Sequence, residues 1–204
     1  VGAAEKVDLK KDLPSYAARA GRIDLVDVPA LRYLMVDAEG APEGASFISA
    51  VETLYPVAYA TKFASKVTAG RDYVVPPLEA LWWADDMDAF TVRRDRSQWR
   101  STVMIVVPEW VDDTLIEAGM DKAARKVDAP SLGRVRVETL VEGRCAQTLH
   151  LGPFADEGPV IEAMHAAIAD AGLSLGGRHH EIYLSDPRRS APERLRTILR
   201  QPAV

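Results

Sequence analysis

The chain of 204 residues holds a single cysteine, Cys145. One thiol cannot close an internal disulfide, so a reducing, cytoplasmic setting is expected, with Cys145 acting as a small core residue in the strand-like run CAQTLHL. Long apolar runs are missing too. The longest, VMIVV at 103–107, has the length of a buried strand and falls far short of the roughly 20 residues that span a bilayer. In the opening VGAAEKVDLKK, charges interrupt any apolar stretch, so it does not read as a signal peptide. Basic residues are not in excess. The chain has 25 Lys and Arg against 30 Asp and Glu, for a net charge of −5. A nucleic-acid surface would want a basic stripe, so neither nucleic acid nor membrane is expected as a partner.

Familiar chemical signatures are absent as well. No G-x-S-x-G, P-loop or G-x-G-x-x-G occurs. Asp85-Asp86-Met87-Asp88 lacks the glycine and the distal glutamate of an EF-hand loop and reads as a turn. His150 and His165 have no cysteine or carboxylate at ligand spacing. His179 and His180 are adjacent on a predicted strand, so they point to opposite faces and cannot chelate together. No metal and no cofactor are expected.

What the sequence does contain is a weak internal repeat. RIDLVDVPALRYLMVDAEGAP reads as two strands joined at Pro29-Ala30, then a Gly/Pro stop. RVRVETLVEGRCAQTLHLGPF repeats this, with its turn at Glu142-Gly143. A helical pattern follows each: ASFISAVETLYPVAYATKFASKV, expected to kink or restart at Pro56, and EGPVIEAMHAAIADAGLSL, with Ile161, Met164, His165 and Ile168 at helical spacing and Gly172 as a stop. A strand closes each unit: VVPPLEALWW and RHHEIYLSD. FTVRRD and STVMIVVPEWV read as further strands, 113–127 as a connecting helix, and SAPERLRTILR as a last helix started by Ser190 and Pro192. This predicts an α+β fold: tandem strand-helix-strand modules about a pseudo-two-fold axis, with antiparallel sheets, helices on one side and a ligand cleft between. The expected organisation is a single domain over 1–204, with a first module at about 22–108 and a second at about 134–204.

The closing strands carry the candidate chemistry. Aligning them puts Glu79 opposite Glu181, and two equivalent modules would turn these acids toward a shared cleft. Glu181 stands on the same strand face as Tyr183, while His180, Ile182 and Leu184 take the other. Glu79 shares its face with Leu81 and Trp83, and Trp82 lies on the reverse. An isolated carboxylate among aromatics is costly to ionise, and a cation lying on the rings would offset that cost. The alternative is that each glutamate pairs with an arginine or tops a sheet edge. Tyr55, Tyr59, Lys62 and Phe63 form an aromatic stripe at helical spacing, which suits either core or ligand contact. Trp110, at the exit of the central strand, is a candidate pocket wall.

Three segments, LYPVAYATKF (54–63), YVVPPLEALWW (73–83) and HHEIYLSDPRRSAPERLRTILRQP (179–202), resemble the stand-alone branch of the GyrI-like small-molecule-binding family. That family shares its fold with the BmrR-type multidrug effector-binding domain. The resemblance implies an aromatic cleft for flat, hydrophobic, often cationic small molecules, with the family's closing-strand glutamate falling on Glu181 and Tyr183 beside it. Tyr55, Tyr59, Glu79, Trp82, Trp83 and Trp110 are the other candidate ligand contacts. The first 20 residues are too few for the winged-helix domain of those regulators, so transcriptional control is not carried over. The resemblance also implies an alternative to binding alone, a detoxifying hydrolase that opens the cyclopropane of DNA-alkylating natural products. Glu181 would then be the general base and Tyr183 a donor. The oligomeric state is left open by the sequence.

Overall fold

The run VMIVV forms the middle of a nine-residue strand in which Ser101 to Val107 are all buried. Branched side chains on both faces suit a strand covered on both sides rather than an alternating edge. The computed structural model describes residues 6–85 and 95–204. Its helices are α1 (Leu9–Asp12), α2 (Ala45–Ala64), α3 (Asp113–Ala123), α4 (Ala129–Leu132) and α5 (Gly158–Asp170). The strands are β1 (Asp24–Val28), β2 (Leu31–Glu39), β3 (Leu78–Ala84), β4 (Trp99–Val107), β5 (Arg136–Leu140), β6 (Gly143–Leu151), β7 (His179–Tyr183) and β8 (Arg196–Pro202). The fold is α+β, with antiparallel strand pairs as expected. The predicted strand FTVRRD, except for Asp95, lies outside the described residues, as do residues 86–88 of the predicted turn.

Two expected hairpins do not form. β1 pairs with β6, placing Val26 opposite Cys145, and β2 pairs with β5, placing Leu34 opposite Val137. The first strand of each repeat therefore joins the second strand of the other. The link Pro29-Ala30 explains part of this. A two-residue hairpin needs a central residue at positive φ, and proline is fixed near −65°. The chain accordingly divides into two compact units that are not continuous in sequence. One comprises Val1–Asp12, Leu31–Pro76 and Trp83–Leu140, and the other Leu13–Ala30, Pro77–Trp82 and Val141–Val204.

In the first unit, β2 runs between β4 and β5, and α2 packs on β2 and β4. The expected break at Pro56 is absent, and α2 continues through it. Proline removes one i→i−4 bond, but burial of Leu54, Val57, Ala58 and Thr61 around it holds the helix together. The distortion falls later, in a π-turn over Ser65–Ala69 that ends at Gly70 with φ 66°. Helix α3 lies so close to α2 that a Cβ on Gly119 would sit 2.8 Å from the Thr61 amide nitrogen. Only glycine fits there.

In the second unit the strands run β1-β6-β8-β7-β3. The predicted terminal helix is replaced by one 3₁₀ turn at Pro192–Arg194 followed by β8. Leu195, Ile198 and Leu199 fit a helical face as well as a strand, so local pattern could not decide. Pairing with β6 on one edge and β7 on the other did. Helix α5 ends near Gly172, at φ 74°, as the sequence suggested. It covers one sheet face through Met164 and Ile168 against Ala146 and Leu199. Tyr16 packs on the opposite face with Leu149, Ile182 and Ile198.

Candidate functional site

Strand β7 gives its two faces different chemistry. Register places Glu79 opposite Ile182 and Ala80 opposite Glu181. Directly opposed residues share a face, so Glu79 joins His180 and Ile182, while Glu181 joins His179, Tyr183 and Trp82. The two glutamates do not face each other. They stand on opposite sides of neighbouring strands, because β3 and β7 pair directly.

On the first face Glu79 is 1% exposed and fully engaged. Tyr16 donates its hydroxyl hydrogen to Oε1, and His180 Nε2 lies 2.8 Å from Oε2. His180 Nδ1 reaches Glu142 Oε1 at 3.0 Å, and Arg200 Nη1 donates to Glu142 Oε2 at 3.0 Å. Arg200 also donates to Gln147 Oε1 and to the Ser15 carbonyl. Burial alone would lower the His180 pKa, but Glu142 and Glu79 outweigh it and raise the value to about 9. Burial likewise works against ionised Glu142, yet His180 and Arg200 hold it down at about 2. Two carboxylates, an imidazolium and a guanidinium thus neutralise one another away from water. The arrangement is a structural ion network that ties β3, β6, β7 and β8 together. Cys145, beside it, has its thiol pushed up to about 12 by burial, which fits the inert core role expected for it.

The second face is only partly satisfied. Trp82 donates its indole hydrogen to the Tyr183 hydroxyl at 3.0 Å, and Tyr183 donates to Glu181 Oε2 at 2.8 Å. Burial and the Glu181 charge hold the Tyr183 phenol well above its ordinary value, so it remains a donor. Phe154 meets the Tyr183 ring edge-on at 5.7 Å between centroids. His179 Nε2 stands 3.6 Å from Glu181 Oε1, beyond hydrogen-bond range. Glu157, the residue just before α5, brings a second carboxyl. It is 4% exposed, and burial together with the Glu181 charge raises its pKa to about 9. Among the described residues, Glu157 Oε1, Thr197 Oγ1, both His179 ring nitrogens and His165 Nε2 find no hydrogen-bond partner. Buried polar atoms left this way ordinarily mark a place for water or ligand.

The structure therefore brings together Trp82, Glu181 and Tyr183 of the expected set and places Glu79 elsewhere. Tyr55 and Tyr59 belong to the other unit, with ring centroids 6.3 Å apart. With Phe63 and Lys122 they line a groove of about 530 Å³ between α2 and α3. Tyr59 and Phe63 are half-exposed there, while Lys62 of the same stripe is buried and paired with Asp72 at 2.7 Å. Trp110 donates to Ser65 Oγ at 3.2 Å and lies under Arg71 at 3.9 Å, in a packed cluster with Tyr73. Trp83 is partly exposed on the reverse of β3 from Trp82.

Glu157, Tyr16, Glu142 and Arg200 escaped the reading of the sequence. Glu157 looks like a solvated acid at a helix start, and nothing in FADEGPV shows that it is buried. In the sequence Glu142 reads as a turn residue and Arg200 as a helix residue. Only the pairing of β6 with β8 sets their register. Among the described residues no cluster of His, Cys, Asp or Glu could hold a metal, and no helix is long and apolar enough to cross a membrane.

On one covered sheet face of this α+β fold an acid, a phenol and an indole are linked by hydrogen bonds. The chain belongs to the family of GyrI-like small molecule binding domains, which it matches over residues 22–202. A conserved protein from Listeria innocua is 35% identical with a TM-score of 0.88, the match covering 98% of this chain and 100% of that one. A hydrolase from Listeria innocua is 33% identical with a TM-score of 0.84, again over 98% and 100%. The EcmrR C-terminal domain shares the fold at 11% identity and a TM-score of 0.57, over 90% and 97%. No curated protein gives a significant match.

Proposed function

We propose that the chain binds flat, lipophilic aromatic compounds and hydrolyses those that carry a strained, electrophilic ring, such as the cyclopropane of DNA-alkylating natural products. The observation that carries this reading is the chain Trp82 indole to Tyr183 hydroxyl to Glu181 carboxylate, at 3.0 and 2.8 Å, on a covered strand face. Tyr183 fixes Oε2 of Glu181 and leaves Oε1 to take a proton from water. The water oxygen then bonds to the strained carbon, the ring C–C bond breaks, and the electron pair passes to the ligand's conjugated carbonyl. The Listeria innocua hydrolase, at 33% identity over nearly the whole chain, supports turnover rather than binding alone.

Catalytic amounts of protein incubated with a duocarmycin-type spirocyclopropyl dienone should yield many equivalents of a product heavier by one water, detected by mass spectrometry. Glu181→Gln should lower kcat by roughly 10²–10⁴ with little change in ligand-induced tryptophan quenching. Quenching without product in the wild type would replace this reading with sequestration, the second role the family allows. No quenching and no product would remove such ligands altogether.

A further inference from the structure

A water-adding ring opening needs two proton movements, and the Trp82–Tyr183–Glu181 chain supplies only one. Glu181 can accept the proton that water loses. The Tyr183 hydrogen is already committed to Glu181 Oε2, so the oxygen of the opened ligand still lacks a donor. The unused group nearest in chemistry is Glu157.

We infer that Glu157 is the proton donor of this site and Glu181 its base, two carboxyls on one covered face with divided duties. The inference rests on the hydrolase reading. Its geometric support comes from three elements. Glu157 precedes the first turn of α5, where its carbonyl accepts from Val160 and Ile161 while its side chain makes no cap. The side chain instead turns inward, 4% exposed, with Oε1 lacking a protein partner. Its neighbour Thr197 stands directly opposite Tyr183 across β7 and β8, is fully buried, and also has an unpartnered hydroxyl. A buried carboxyl with one oxygen lacking a partner, and the buried Thr197 hydroxyl beside it, adjoin the Glu181–Tyr183 pair and form a polar recess suited to one oxygen of a ligand.

The ionisable groups on the strand faces under this helix are Glu181, Tyr183 and His179 of β7, His150 and Arg144 of β6 and Asp27 of β1, with His165 on the helix itself. On the same face β8 offers only Thr197, Leu199 and Gln201. His150 is turned to the Pro153 carbonyl at 3.1 Å. Arg144 is exposed at the far end of β6 from His150, while Glu181 repels a second negative charge on Glu157. Burial is the larger cause and the Glu181 charge adds to it, and together they outweigh Thr197, which acts the other way, and raise the Glu157 pKa to about 9.

The step balances. Water's oxygen bonds to the ring carbon and its proton goes to Glu181. The ring C–C electrons move to the ligand carbonyl, whose oxygen takes the Glu157 proton and leaves a phenol. Proton exchange with solvent then restores both acids.

The test uses the full chain and a spirocyclopropyl cyclohexadienone as probe. Wild-type kcat should hold at neutral pH and fall above about pH 9, as Glu157 loses its proton. Glu157→Gln should lower kcat by roughly 10²–10⁴ and lose that alkaline limb, while probe binding by tryptophan quenching stays within about threefold. Carbon-13 NMR of Glu-labelled protein, assigned by the same variant, should find one carboxyl still protonated at neutral pH. Near-normal turnover in Glu157→Gln, or an ionised Glu157 at neutral pH, overturns the inference while leaving the hydrolase reading intact. A wild type that never turns the probe over ends that reading, and the donor role with it.

Discussion

One strand, β7, separates two polar regions built from the same residue types and brought to opposite ends. Behind His180 every charge has a partner at hydrogen-bond distance, and the groups neutralise each other. Behind Glu181 two carboxyls share a face with unpaired imidazole nitrogens and an unpaired hydroxyl. Both regions are shielded from water, so burial alone does not separate scaffold from site. The difference lies in satisfaction. A network with its hydrogen bonds complete rigidifies a fold, whereas polar groups kept unsatisfied cost stability and persist where something else binds.

The largest effect is expected from breaking the satisfied side. Glu142→Gln removes the charge that holds His180 and Arg200, leaving buried cations undercompensated. A loss of about 3–5 kcal/mol in urea unfolding is expected. The pH profile sharpens the same point. His180 is raised from 6.5 to about 9, so its contribution is complete below pH 6.5 and disappears as pH climbs through about 9. Glu142 is lowered from 4.5 to about 2, so its contribution is complete above pH 4.5 and disappears as pH falls toward 2. The network is therefore strongest between these limits, at about pH 4.5–6.5. A Glu142→Gln protein that matches the wild type in stability would show the network to be ornamental.

The unsatisfied side predicts the opposite sign. The Glu157 carboxyl is raised from 4.5 to about 9, so the unfolded chain ionises it first and the folded state is penalised across that interval. Glu157→Gln should therefore stabilise the protein by on the order of 2 kcal/mol at neutral pH, even as it removes activity. The gain should be near zero below pH 4.5 and grow toward pH 9. Denaturation curves of wild type and variant at two pH values decide it, since a gain independent of pH would mean the carboxyl is not the cause.

This contrast was half legible in the sequence. Period-two alternation in HHEIY put Glu181 with Tyr183 and His180 on the reverse, and the structure keeps that division. Equivalence in the repeat suggested Glu79 as a second site acid. Yet equivalence in sequence does not fix which face a strand presents once β3 and β7 pair in antiparallel register, and the opposed pairs put Glu79 with His180. The hairpin strands misled for a similar reason. Their patterns say strand but not which strand is the partner, and the exchange of β1 and β5 is a long-range choice. Arg200 shows the limit most sharply. Leu195, Ile198 and Leu199 fit a helix face as well as a strand, and only slots between β6 and β7 turn the arginine inward. Glu157 was invisible because local sequence carries no sign of what will cover a helix start.

The smallest effect on stability, and the finest probe of the comparison, is Tyr183→Phe. It removes one hydroxyl from the site face and touches nothing on the network face. Glu181 Oε2 loses a donor and the Trp82 indole loses an acceptor, so a cost of about 1 kcal/mol is expected, with the ring's contact to Phe154 preserved. If the hydroxyl only fills space, turnover should follow that small loss. If it aims Glu181, kcat should drop by roughly tenfold or more while probe affinity stays put, because a misplaced base loses rate and not binding. The pH profile separates the two further. Removing an orienting phenol should leave the limb near pH 9 in place, since that limb belongs to Glu157 and not to Tyr183. Loss of the limb in Tyr183→Phe would instead make the phenol the donor, and Glu157 would return to the scaffold.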